Sequence, residues 1–214
     1  MELFTYFRSS ASWRVRIATN LKGLSPQQHF IHLTRNGGAQ NATDFDAVNP
    51  EHLVPVLRDG DQTLTQSLAI LEYLEERHPT PALLPANPAD RAWVRALALQ
   101  IACDIHPLNN LRVLQYIERT LGLAAEAKQA WIEHWVAAGF AALEAHLARS
   151  PRTGLCCFGD TPTMADCCLA PQVFNARRFN VNLDAYPTLV RIDAHLATLD
   201  AFRRAVPAAQ PDAE

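Results

Sequence analysis

Arg8, Ser9 and Ser10 stand where a short apolar run, residues 1–7, gives way to a helical pattern. Two hydroxyls and a guanidinium at the start of a helix can hold an anion, because free amides, the positive end of the helix dipole and a fixed cation converge there. Taken alone, the serine pair is an ordinary helix cap, since a serine oxygen readily accepts an amide of the first turn. A second hydroxyl has a like place. Gln66-Ser67 opens another helical run, so a carboxylate can dock at that end as well. Between the two lies Val54-Pro55, inside an apparent strand over 53–57. Proline cannot donate to a sheet ladder and belongs at an edge or bulge, with the cis form open to it. Such an edge leaves the Val54 backbone free to pair with an extended peptide.

These residues need elements to position them. Trp13, Ile17 and Leu21 form an apolar row at i, i+4 and i+8, which predicts a helix starting near Trp13, with Gly23 at its left-handed C-cap. Residues 29–33 alternate as a second strand, and 34–49 are polar and irregular with room for one short helix. The strand over 53–57, a tight turn at Asp59-Gly60-Asp61 and a returning strand over 62–65 read as a hairpin. The next helix carries Leu68, Leu71 and Leu74 on one side, with Glu72, Glu75 and Glu76 outside. The order β-α-β-(α)-β-β-α makes an α/β unit over residues 1–80. Four prolines between positions 78 and 88 then forbid continued helix and mark a linker, taken as 81–88. Residues 89–214 show helical periodicity with breaks near Pro107, Gly122, residues 151–154 and Pro187, and the tail from Pro207 is expected to be loose. Thr163 and Asp166 have capping-box spacing and predict a helix start inside this second, all-α domain.

Composition narrows the function classes. A net charge of −3 without a basic, aromatic-laced stripe argues against nucleic acid as the main partner. No apolar run approaches the roughly 18 residues of a membrane span, and no leader pattern opens the chain, so a cytoplasmic location is expected. The cysteines are Cys103, Cys156, Cys157, Cys167 and Cys168, an odd set without C-x-x-C spacing. That disfavours a metal site and reads as reduced, buried, structural thiols. Residues 1–102 hold no cysteine, which removes the case for a disulfide reductase.

Val54-Pro55, Gln66-Ser67, the proline-rich linker and Thr163-x-x-Asp166 together resemble a cytosolic glutathione transferase. Within that superfamily, Ser9-Ser10-Ala11-Ser12-Trp13-Arg14-Val15-Arg16-Ile17-Ala18 is similar to the zeta-class motif. So are Asn49-Pro50-x-x-x-Val54-Pro55, Asp104-Ile105-His106-Pro107-Leu108-Asn109-Asn110, and Pro171-Gln172-Val173 leading to Arg178-Phe179. The resemblance implies a thioredoxin-like N-terminal domain, an all-α C-terminal domain, glutathione as cofactor and a homodimer. It also implies a glutathione-dependent cis–trans isomerase acting on maleylpyruvate or maleylacetoacetate in aromatic-compound degradation. The 104–107 segment and the 200–204 ending look most like the bacterial maleylpyruvate branch. The zeta class commonly has cysteine after the serine pair, whereas this chain has Ala11, so the sulfur is left to glutathione.

The resemblance also assigns roles. Ser9 or Ser10, with the helix amides, would stabilise a thiolate. Val54, Gln66 and Ser67 would hold the glutathione backbone and its γ-glutamyl carboxylate. Arg8, Arg112 and Arg178 would bind a small dianionic enedione through paired carboxylate contacts, with Arg8 and Arg178 also in catalysis. Asp104, His106, Asn109 and Asn110 would hydrogen-bond glutathione or substrate. A rival reading is a general transferase that conjugates small electrophiles and does not return the sulfur; an arginine-lined pocket disfavours apolar electrophiles. A non-catalytic binding module would be expected to have broken serine motifs, and both are intact.

Overall fold

The computed structural model describes residues 1–214, which divide into two units: Met1–Leu83 with Ala197–Glu214, and Leu84–Leu196. The first unit is built on a four-stranded sheet of order β2-β1-β3-β4, with β1 Glu2–Thr5, β2 Gln27–Phe30, β3 Val56–Asp59 and β4 Gln62–Thr65. β1 pairs with β2 in parallel and with β3 antiparallel, and β3 and β4 form the hairpin expected around Gly60. Helix α1, Ser10–Leu21, supplies the crossover between the parallel strands, α2 is the short helix Thr43–Asp46, and α3, Ser67–Arg77, packs on α1. Strand side chains alternate between faces. Phe4 and Val56, opposite each other in register, belong to a core with Tyr6, Phe7, Phe45 and Val54; Leu3 and Leu57, one step along, are buried on the other side.

Element order agrees with the sequence reading, while boundaries move. The first strand stops at Thr5 because Tyr6 and Phe7 turn toward the helix, and the second runs over 27–30 instead of 29–33. The strand expected over 53–57 begins at Val56, and Val54-Pro55, a cis peptide, lies ahead of the ladder, where a proline without an N–H belongs. Helix α1 starts at Ser10 and not near Trp13. Ser9 caps it, so the polar residues ahead of the apolar row already belong to its first turn. Its end is a Schellman turn, with Leu24 N donating to Thr19 O (2.8 Å), Gly23 N to Asn20 O (3.2 Å) and Gly23 at φ +68. Just inside that end, buried Lys22 Nζ donates to Glu75 Oε2 (2.8 Å), His78 O (2.6 Å) and Pro81 O (2.9 Å), tying α1 to the chain leaving α3.

The second unit contains α4 Pro88–Leu99, α5 Leu111–Gln115, α6 Ala125–Arg149, α7 Met164–Arg178 and α8 Pro187–Leu196. Between α4 and α5 the chain winds through a wide turn, Gln100–Ile105, and a tight one, His106–Asn109. Helix α7 packs on α4 and α8, and residues 164–173 are all buried. Its start is the predicted capping box. The Asp166 carboxylate accepts from Thr163 N (2.8 Å), Thr163 Oγ1 (2.9 Å) and Cys157 N (2.8 Å). Burial pushes the Asp166 carboxyl above its ordinary range, and these three donors oppose the rise.

The C-terminal segment corrects the expectation of a loose tail belonging to the helical domain. Residues 197–214, including the short helix α9 at Asp200–Arg203, belong to the first unit. Asn20 Nδ2 donates to Ala201 O (2.9 Å), Arg16 reaches Ala205 O, and Gln210 Nε2 closes a turn on Arg204 O (2.8 Å) and Val206 O (3.0 Å). A polar, proline-bearing segment reads as unstructured only when its side chains lack partners, and these have them.

Candidate active site

In the first unit three short segments carry the predicted residues. Ser9 has extended backbone geometry (φ −69, ψ 117), and its Oγ accepts the Ser12 amide at 3.2 Å. A hydroxyl that accepts in this way still has its own hydrogen to donate. Ser9 is partly exposed, whereas Ser10, the first residue of α1, is buried. Arg8 is exposed, with its guanidinium 4.8 Å from the centre of the Phe7 ring.

Ser67 departs from the expected hydroxyl cap. It is the first residue of α3, it is buried, and its Oγ accepts from Arg14 Nη1 at 3.1 Å. The cap position falls to Gln66, whose backbone sits at φ +65, ψ 114 without a side-chain cap bond. A left-handed glutamine is costly and persists where its surroundings hold it, a common mark of a ligand site. What holds it is Glu51: Oε2 accepts from Gln66 Nε2 (2.7 Å) and Oε1 from Thr65 Oγ1 (3.4 Å). Buried Asn49 in turn accepts the Glu51 amide (3.0 Å) and donates to Leu53 O (2.9 Å), which shapes the approach to Val54. Residues 49–54 and the start of α3 are thus one connected network. Within it the Val54 side chain is buried, and its backbone N–H and C=O take no hydrogen bond from the chain.

In the second unit Asp104 is exposed on the wide turn, and His106 begins the tight one. Asn109 is buried and donates from Nδ2 to Asn175 Oδ1 on α7 (3.0 Å), while its own Oδ1 has no partner. Asn110 caps α5, its Oδ1 accepting the Arg112 amide at 3.2 Å. The side chains of Asn109 and Asn110 therefore have structural duties that the sequence reading did not foresee. Arg112 is exposed on α5. Arg178, exposed at the end of α7, lies 5.0 Å from the centre of the Phe179 ring. The bond Asn109–Asn175 joins the 106–110 turn to α7 one turn before Arg178. Trp131 Nε1 on α6 donates to Leu108 O (2.7 Å), and Gln129 Nε2 to Phe179 O (2.6 Å). Those bonds tie the 106–110 turn to α7 and to α6, and α6 to the end of α7.

Arg14, Arg16 and Asn49, which stand in the motifs that carry the resemblance but have no role assigned there, organise the first unit's site together with Glu51. A signal existed for the arginines: residues 12–19 of α1 alternate charged and apolar types without a polar stripe, as a helix buried all round would. The reading of buried thiols holds for Cys156, Cys157, Cys167 and Cys168 and fails for Cys103, which is exposed.

Residues 3–82 match the family model for the glutathione S-transferase N-terminal domain, and residues 125–194 that for the C-terminal domain. A maleylpyruvate isomerase from Ralstonia sp is 52% identical over 99% of both chains. Among solved structures, a holo maleylpyruvate isomerase described as a bacterial zeta-class glutathione S-transferase superposes with a TM-score of 0.97 at 51% identity, covering 100% of each chain. A maleylacetoacetate isomerase from Methylobacterium extorquens AM1, with bound malonate and GSH, gives 0.95 at 41% identity, again covering 100% of each.

Proposed function

The chain belongs to the glutathione S-transferase family, and within its zeta class we propose a glutathione-dependent cis–trans isomerase that converts maleylpyruvate or maleylacetoacetate to the fumaryl isomer. Glutathione suits the first unit: Val54 offers an unpaired backbone to an extended peptide, and Gln66 with Ser67 opens α3 toward a carboxylate. When bound, glutathione supplies a thiolate that adds to the cis double bond, permits rotation and departs. The chain's own part is to favour that thiolate and to hold the dianion. The observation that carries the reading is Ser9, which accepts the Ser12 amide and keeps a hydrogen to donate at the positive end of α1. Ser10, buried in the first turn, is the lesser candidate.

The resemblance assigns Arg8 of the first unit and Arg178 of the second each to a carboxylate of the substrate, through paired N–H···O contacts of the kind that oppose the negative charge developing as sulfur adds. Arg112 is a further candidate for the same ends. Asp104 and His106 are assigned to polar contacts with glutathione or substrate, and Asn109 and Asn110 shape the same turn. The same reading takes the first unit as the glutathione domain, helices α4 to α8 as the substrate domain, and the protein as a cytoplasmic homodimer. No helix is long and apolar enough to cross a membrane. Rates of isomerisation of maleylpyruvate and maleylacetoacetate, each with and without glutathione, test the proposal. One substrate should be converted rapidly only in the presence of the thiol, and equal rates without it would overturn the reading.

A further inference from the structure

The turn that delivers Arg8 and Ser9 to the start of α1 is held from the C-terminus. Tyr6 O accepts from the Ser9 amide (3.0 Å) and from Arg16 Nη1 (3.2 Å), and Phe7 O accepts from Arg16 Nη2 (2.8 Å). The Phe7 amide donates to Asp212 Oδ2 at 2.9 Å, across 205 positions of chain. Arg16 is fastened to the same segment, because its Nε and Nη2 both reach Ala205 O at 3.2 Å. Both backbone groups of Phe7 are therefore fixed by side chains, one from within α1 and one from the tail.

Asp212 is an expensive choice for mere packing. Its second oxygen, Oδ1, is buried without a hydrogen-bond partner, a state that proteins rarely tolerate in a carboxylate. The field of Arg16 offsets part of that cost. Burial lowers the Arg16 guanidinium to about 10 and Asp212 pulls it back up, so the arginine stays charged at neutral pH. Beyond Asp212 the tail is fixed again, with Glu214 Oε1 meeting His32 Nε2 (2.6 Å) and Arg35 Nη2 (2.7 Å).

We propose that the C-terminal segment is a strap for the active-site turn, and that Asp212 is a positioning residue which, by holding the Phe7 amide, sets where Arg8 and Ser9 stand. This rests on the reading of Ser9 as the group that meets the thiolate. Two measurements on Asp212→Ala and Asp212→Asn test it. The first is hydrogen exchange of the Phe7 amide, followed by NMR in the protein without glutathione. Loss of a charged acceptor should speed exchange roughly 10-fold or more in Asp212→Ala, with the Leu3 amide in β1 unchanged, and asparagine, which keeps an acceptor oxygen, should restore most of the protection. The second is the thiolate absorbance of bound glutathione against pH, which should shift to higher pH in Asp212→Ala and return toward the parent in Asp212→Asn. Unchanged Phe7 exchange in Asp212→Ala would overturn the strap. Faster exchange with an unmoved titration would overturn the positioning role. Ser9→Ala serves as the reference: if its titration also fails to move, the reading of Ser9 is at fault, and the Phe7 exchange still decides the strap.

Discussion

Replacing Ser67 with alanine separates two functions of one hydroxyl. Ser67 Oγ accepts from Arg14 Nη1 at 3.1 Å, with both residues buried. A hydrogen bond to a charged group contributes about 1.5–3 kcal/mol, and alanine at this helical position returns roughly 0.5 kcal/mol of propensity. The net loss of about 1–2.5 kcal/mol should lower the thermal midpoint by roughly 2–10 °C for a chain of this size. Glutathione binding should fall independently, because the same residue begins α3 where the γ-glutamyl carboxylate is assigned. Loss of one contact to that charge should weaken the dissociation constant roughly 5- to 100-fold. Calorimetric titration at a temperature well below the variant's midpoint reads the second effect free of the first. A lowered midpoint with unchanged affinity would refute the carboxylate assignment and leave Ser67 as a buttress for Arg14. Unchanged values in both would refute the buried hydrogen bond itself.

The other expectations concern the thiolate, the dianion and the cysteines. Ser9→Ala should raise the pKa of bound glutathione and reduce turnover by roughly one to three decades, while Ser10→Ala should do less; absorbance titration ranks the two. Arg178→Ala should reduce kcat/KM for the dianion roughly 10- to 100-fold with glutathione affinity little changed. Arg178→Lys should recover only part of this, since an ammonium cannot form the paired contact. A thiol reagent should find only Cys103 in the native protein and all five cysteines after denaturation. Burial, with Asp166 and Asp160 nearby, pushes the Cys156 thiol up to about 12. The folded state keeps a proton that the unfolded chain releases, so stability should decline as pH rises from about 9 toward 12. Denaturant midpoints for the parent and Cys156→Ala at pH 8 and 10 check the sign, the variant showing the smaller decline.

What was legible in the sequence followed from local rules. Gly23 and its left-handed helix end, the Asp59-Gly60 hairpin and the Thr163–Asp166 box each depend on a few neighbouring residues, and each is found. Ser9 is legible as a cap, yet α1 starts ahead of its apolar row, because Ser10 and Ser12 are polar and nonetheless buried. Ser67 looked like a cap for the same reason that Ser9 did. Its real partner, Arg14, lies 53 positions away, and no local rule pairs them. Arg14 and Arg16 were invisible as organisers, since arginine is ordinarily a surface residue and only tertiary partners justify its burial. Asp212 is the same case at greater distance, a tail carboxylate whose partner is the amide of Phe7.

The central claim is that the sulfur of glutathione is lent and returned, and its stoichiometry tests that most directly. Maleylpyruvate or maleylacetoacetate, whichever is turned over, is supplied in tenfold excess over glutathione, and product and free thiol are counted together. The account predicts complete conversion to the fumaryl isomer with the thiol count at its starting value. One thiol consumed for each substrate molecule, with conversion stopping when glutathione is spent, would contradict it and identify a conjugating transferase.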